Sequence, residues 1–390
     1  MTKRLKLLMV TPKLPPEFAG YGITSVLYAT ELAKTYDVDV LTTTQNPTSI
    51  KGVNFVPINL PGWFSKGKLY QIVALLYLPF LRAKLSKLIG DNYDFIFSIG
   101  TGHWIRLLCL HIAHKKGIMS IAEPSLYGHD DPVFIKKKRF GWIRRWLLTK
   151  ADKYVAMSPL MKDIYLKDSV VKDKEIAVIG NPVDLEKFKP VSSDKKSQLR
   201  TQFGFSEKDF ILLFVGGVRK RKGIDKVIDL MPSLIKQNKN VKLLVVGPVQ
   251  SNNPDDVQFV TEIEQTITEN KLGDSISMVG FQPNVEDYMQ LSDVFVFPSH
   301  QEGFGTVQIE AMACGLPVVA YEIKRISEFI IDNGVDGFYV GDQNEMLKHL
   351  LNLMTDSEQH KAISTKAMEK VNDRFEISKI IEEYVVFFEK

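Results

Sequence analysis

Asp293-Val-Phe-Val-Phe-Pro-Ser-His-Gln-Glu-Gly-Phe-Gly-Thr-Val-Gln-Ile-Glu-Ala-Met-Ala-Cys-Gly315 joins an apolar run, a glycine-flanked turn and a helical pattern in one stretch. Val294 to Phe297 reads as a strand buried on both faces, the mark of a parallel sheet. Thr306 to Ala313 reads as a helix, stopped by Gly315-Leu316-Pro317. Strand, tight turn and helix in that order bare backbone N–H groups at a helix start, where an anion is favoured. Glu302 in the turn and Glu310 in the helix stand eight positions apart. Each can accept hydrogen bonds from the hydroxyls of a polyol. A phosphate cradle beside two hydroxyl acceptors suits a nucleotide sugar.

Outward from this stretch, the same alternation repeats. Leu5–Thr11, Val38–Thr43, Phe95–Ile99, Met119–Ala122, Tyr154–Met157 and Ile176–Val178 read as strands of one α/β domain. A polar stretch, Ser192 to Ser197, reads as a linker. Phe210–Val215, Val241–Val246, Ile276–Val279, Val294–Phe297, Val318–Ala320 and Gly337–Val340 form a second series. The expected fold is therefore two Rossmann-like, doubly wound parallel-sheet domains facing across a cleft, residues 1–190 and 191–374.

The 390 residues carry a net charge of +4, with 45% hydrophobic and 25% charged residues. That describes a globular chain with ample core and gives no argument for nucleic acid. Cys109 and Cys314 are the two cysteines, which excludes a disulfide framework or a zinc cluster and fits a cytoplasmic setting. Leu7 to Val10 is too short for a signal-peptide core, and Leu69–Leu81 is too short to span a bilayer. No Gly-x-Gly-x-x-Gly is present, which disfavours a dinucleotide cofactor. No Asp-x-Asp stands at a strand end, since Asp37-Val-Asp39 enters a strand.

Glu302 to Glu310, with Gly303-Phe304-Gly305 between, resembles the Glu-x7-Glu signature of the retaining GT-B glycosyltransferases of family four. The resemblance implies that Glu302 contacts the donor sugar and that the amides of Gly303, Phe304, Gly305 and Thr306 meet sugar and phosphate. It implies that Glu310 holds the ribose hydroxyls. Phe214 to Gly223 is a strand running into a basic loop, whose Arg221-Lys222-Gly223 end matches a family variant; Gly217 departs from its commoner Arg. Lys222 is the first choice for the diphosphate, with Arg221 or Arg219 second, because cations there stabilise a leaving group's growing charge. Gly20 and Gly22 follow the first strand and are implied to face the donor phosphates. Asn181 matches the family's turn at the domain junction. The tail, 375–390, has helical spacing, and by resemblance it returns to the N-terminal domain.

On the acceptor side the resemblance is incomplete. Aligning the family's Leu-His-Gly on Leu126-Tyr127-Gly128 puts Tyr127 in place of the His. The acceptor-side polar group is then open among His129, Asp130, Glu123 and His103. Ile135 to Trp146, read as one helix, places Lys137, Lys138, Arg144 and Arg145 opposite Ile135, Trp142, Ile143 and Trp146. Such a helix suits an anionic membrane surface, and Trp63 to Lys68 adds a second contact. The expectation is a cytoplasmic, peripherally membrane-associated enzyme. It moves a sugar from a nucleotide-diphosphate co-substrate to a glycan or lipid-linked glycan, with no cofactor and no metal. The rivals are a nucleotide-sugar epimerase, a phosphorylase and a non-catalytic partner subunit.

Overall fold

The computed structural model describes residues 4–17, 20–61, 70–100, 103–124, 131–168, 171–251 and 253–390. The chain divides into two compact units. Unit 1 runs up to Pro182 and takes in Ile377–Lys390; unit 2 is Val183–Glu376.

Unit 1 is built on seven parallel strands: β1 (Lys6–Val10), β2 (Asp37–Thr42), β3 (Val53–Pro57), β4 (Phe95–Ile99), β5 (Met119–Glu123), β6 (Lys153–Ala156) and β7 (Ile176–Val178). Their order is β3-β2-β1-β4-β5-β6-β7. The order turns back between β1 and β4, the topological switch point where doubly wound sheets open to ligands. Side chains alternate across a strand, so Leu8 and Val10 enter one core while Leu7 and Met9 enter the other. The first core is covered by α2 (Tyr70–Ile89), α3 (Trp104–Lys116), α4 (Pro132–Lys137) and α5 (Gly141–Leu148). The second is covered by α1 (Gly20–Thr35) and the tail helix Ile377–Glu389. Ile380, Ile381, Tyr384 and Phe388 recur at helical spacing on the tail's buried face, each worth roughly 1.5–3 kcal/mol on burial.

Strand β3 is absent from the sequence reading. It is an edge strand, mostly half-buried, and its Val-Asn-Phe-Val-Pro lacks the long apolar run of the inner strands. The single helix expected over Ile135–Trp146 is also corrected. The chain breaks between α4 and α5, where Phe140 takes φ 57°. The break rotates the two halves relative to one another. Ile135 is buried, Trp142 is exposed, and Arg144 turns inward with its guanidinium 3.9 Å from the Trp104 ring. Arg145 pairs with Asp168 at 2.9 Å. Trp63 to Lys68 lies outside the described residues.

Unit 2 holds β8 (Phe210–Val215), β9 (Val241–Val246), β10 (Ile276–Gly280), β11 (Val294–Phe297), β12 (Val318–Tyr321) and β13 (Phe338–Val340), all parallel. The order β10-β9-β8-β11-β12-β13 places its switch point between β8 and β11. Among the described residues of both units, no helix is long and apolar enough to cross a membrane.

Candidate active site

The loops leaving β8 and β11 meet at that switch point. The His300 N–H donates to the Arg221 carbonyl at 2.9 Å, and an Arg221 guanidinium N–H donates to the Gln301 carbonyl at 2.9 Å. These bonds tie the basic loop to the glutamate loop. Lys222 Nζ lies 2.5 Å from Glu302 Oε1, and Arg221 Nη1 lies 3.3 Å from the same oxygen. The Glu302 and Lys222 side chains are 8% and 13% exposed, so the pair is largely removed from water. A buried carboxylate needs such partners, because an unpaired charge there costs several kcal/mol. The same Nζ stands 5.6 Å over the Phe297 ring.

Gly305 starts the motif helix Thr306–Ala313 at φ 94°. That left-handed conformation is what calls for glycine; a Cβ there would stand 2.6 Å from Gln308 Nε2, the far end of a side chain that can move aside. Phe304 is buried against Phe329 and Phe375, with ring centroids at 6.3 and 5.8 Å. Its side chain therefore anchors the turn, and only its backbone is left to meet a ligand. Gly303 is buried, and Thr306 is half-buried in the first turn of the helix.

Glu310 differs from Glu302 in every respect that matters chemically. It is half-buried, and its carboxylate takes no hydrogen bond among the described residues. Burial pushes the carboxyl up to about 7; Lys187 opposes the rise and Glu286 adds to it. A carboxylate poor in partners, in unfavourable surroundings, gains most from ligand hydroxyls. Arg219 is directed elsewhere: it pairs with Asp256 at 3.0 Å and donates to the Gln250 carbonyl at 2.9 Å. The structure thus brings together Glu302, Lys222 and Arg221 and leaves Arg219 outside that cluster.

In unit 1, Gly20 and Gly22 form the first turn of α1. A Cβ on Gly22 would stand 2.7 Å from the Lys13 carbonyl, so the helix start approaches the loop after β1 closely. His103 caps α3, its Nδ1 accepting from the Ile105 N–H at 3.4 Å. Burial, then Arg106, Arg144, Lys138 and Lys13, push its pKa down to about 3. It is a neutral imidazole whose Nε2 carries the proton. Glu123 ends β5 and is 2% exposed. It accepts from the Tyr384 hydroxyl at 2.7 Å, and that hydroxyl lies 3.1 Å from the hydroxyl of Tyr28. Glu123 therefore fastens the tail helix. Asn181 is buried beyond β7. His129 and Asp130 lie outside the described residues. Sequence reasoning missed the role of Tyr384, since nothing local links residues so far apart in the chain.

Two family models match this chain: Glycosyltransferase Family 4 over residues 20–187 and Glycosyl transferases group 1 over residues 195–370. The N-acetyl-alpha-D-glucosaminyl L-malate synthase of Bacillus anthracis is 27% identical over 267 residues, covering 68% of this chain and 66% of that protein. The capsular polysaccharide biosynthesis glycosyltransferase CapM of Staphylococcus aureus is 28% identical over 242 residues, covering 60% of each. The chain thus spans about two thirds or less of the length of these curated relatives. Among solved structures, HepE of Anabaena in complex with UDP and glucose superposes with a TM-score of 0.77 at 20% identity, covering 98% of this chain and 99% of that one. WaaG, a glycosyltransferase involved in lipopolysaccharide biosynthesis, superposes with a TM-score of 0.72 at 16% identity, covering 98% and 99%. At such identities these likenesses speak for the fold.

Proposed function

We propose that this chain, which belongs to the group 1 glycosyltransferases of the GT-B fold, moves a sugar from a nucleoside-diphosphate sugar to a glycan or lipid-linked glycan with retention of configuration. The acceptor class places it in surface-polysaccharide or glycolipid synthesis. The observation that carries the reading is the cluster of Lys222, Arg221 and Glu302 at the β8/β11 switch point, beside a glycine-led helix start. Relatives named for sugar transfer and a structural neighbour crystallised with UDP support the same donor class.

In this reading the sugar C1–O bond to the diphosphate breaks, and its electron pair passes to the phosphate oxygen. Lys222, Arg221 and the N–H groups at Gly305 and Thr306 stabilise that charge as it grows. Donor phosphate competes with Glu302 for Lys222 and frees the carboxylate to bind sugar hydroxyls. Glu310 accepts from the ribose hydroxyls. The acceptor oxygen bonds to C1 on the face the leaving group vacates, and its proton passes to the departing phosphate oxygen. That route calls for no strong protein base. His103, held neutral, supplies an N–H rather than a titrating group.

Thermal shift with a panel of nucleotide sugars identifies the donor. With that donor, Lys222→Ala lowers kcat by roughly a hundredfold or more, the usual scale for removing one stabiliser of developing charge. EDTA leaves the wild-type rate unchanged. Full inhibition by chelator, restored by magnesium or manganese, overturns the mechanism. Conversion of the donor without acceptor points to an epimerase, a visible-absorbing Schiff base to a phosphorylase, and donor binding without turnover to a partner subunit.

A further inference from the structure

One helical layer of unit 1 is cationic and apolar at once. α3 packs between α2 and α5 on the same face of the sheet. Residues 70–90, 103–118 and 132–151, which contain these helices and α4, include no Asp or Glu at all. Leu76 and Phe80 stand one turn apart on α2 and are 72% and 71% exposed. Trp142 and Trp146 repeat the arrangement on α5, at 74% and 49%. Single exposed apolar residues are ordinary, but a pair on each of the two helices flanking α3 gives this layer exposed apolar surface at two places, which water does not favour.

Cations stand close to the α5 pair. His111 of α3 packs on Trp146 at 5.2 Å between ring centroids, and Lys150 stands 5.0 Å over the same indole. Burial lowers the pKa of His111, and Arg82 of α2, Lys115 of α3, His114 and Lys150 add to that through their charge. Asp168 reaches this layer from outside those segments, and it engages Lys136 and Arg145. Arg82, Lys115 and Lys137 remain exposed.

We propose that this face docks on an anionic lipid bilayer, with Leu76, Phe80, Trp142 and Trp146 entering the headgroup layer and Arg82, Lys115, Lys137 and Lys150 facing lipid phosphates. Interfacial binding combines these two components: apolar area gives the affinity, and each cation near the surface adds to it. A second copy of the chain is a poor occupant, because a two-fold contact would set this mainly cationic face against itself. The docking rests on the glycosyltransferase reading only for its purpose, which is to deliver the site to a lipid-linked acceptor.

The test is co-sedimentation of the full chain with vesicles of phosphatidylglycerol or of phosphatidylcholine, without nucleotide. The wild type sediments with the anionic vesicles, and its partition falls by roughly tenfold or more as salt shortens the Debye length from about 10 to about 3 Å. Phe80→Ser with Trp142→Ser lowers partition by roughly tenfold to a hundredfold. Arg82→Ser with Lys137→Ser lowers it by roughly tenfold or more. Both pairs leave nucleoside-diphosphate binding intact. Equal sedimentation with phosphatidylcholine, or none with phosphatidylglycerol at low salt, overturns the docking. So does a dimer in sedimentation equilibrium that Trp142→Ser dissolves. Vesicle binding with no nucleotide binding would overturn the transferase reading alone.

Discussion

Glu310→Gln separates what the site costs the fold from what it gives the donor. In the folded chain the Glu310 carboxyl titrates near 7, against 4.5 for the free group. A carboxyl raised on folding penalises the folded state above its unfolded pKa. Below about pH 4.5 both states are protonated and the penalty vanishes; it grows as pH rises and is complete above about pH 7. The difference corresponds to at most about 3 kcal/mol, and to about half of that with its partial exposure allowed for. Glutamine has the same shape and no charge. The variant is therefore more stable than wild type by about 1–3 kcal/mol at about pH 8 and equal to it near pH 4.5. Urea titrations at both pH values read this difference. Calorimetry with the donor's nucleoside diphosphate reads the other side, a loss of about 1.5–3 kcal/mol at about pH 8 from a weakened hydrogen bond to ribose. Wild-type affinity also declines as pH falls through 7, while the variant's stays flat. Equal stability at pH 8 would refute the unfavourable setting of the carboxylate, and equal affinity would refute its contact with ribose.

Arg219→Ala removes the pair with Asp256; it lowers stability by no more than about 1 kcal/mol and leaves the transfer rate within about threefold of wild type. A loss as severe as that of Lys222→Ala, in the same rate assay, would place Arg219 on the diphosphate. Tyr384→Phe withdraws the hydroxyl from Glu123 and leaves a buried carboxylate short of a donor. Thermal melting is expected to show about 1–3 kcal/mol lost, and an unchanged melt would mean that the tail is held by apolar packing alone.

The sheets were legible because inner parallel strands are buried on both faces and read as continuous apolar runs, as in Leu7 to Val10 and Phe295 to Phe297. β3 was not, since an edge strand is covered on fewer sides and needs fewer apolar residues. The basic helix was misread for a different reason. A helical wheel assumes an unbroken axis, and the axis breaks at Phe140 and Gly141, where a Cβ on Gly141 would collide with the carbonyls of Ile135 and Lys136. The glycine was visible, but its meaning depended on that close approach. Glu302 and Lys222 could be named as candidate site residues from their loops. Their direct contact depends on β8 and β11 being neighbours, a property of the strand order rather than of either motif. The commitments of Arg219 to Asp256 and Glu123 to Tyr384 are likewise tertiary.

The return of residues 377–390 to unit 1 sets an order of events during synthesis. All of Val183–Glu376 leaves the ribosome before the tail does. Unit 2 is contiguous and can close its sheet while translation continues, as domains folding in turn do. Unit 1 must wait. Until Tyr384 and Phe388 emerge, Glu123, Tyr28, Phe95 and Phe97 lack their covering helix. The first half of the chain to be made is thus the last to be finished. A nascent or truncated chain ending near residue 376 would present that aromatic surface to chaperones, while carrying a finished unit 2.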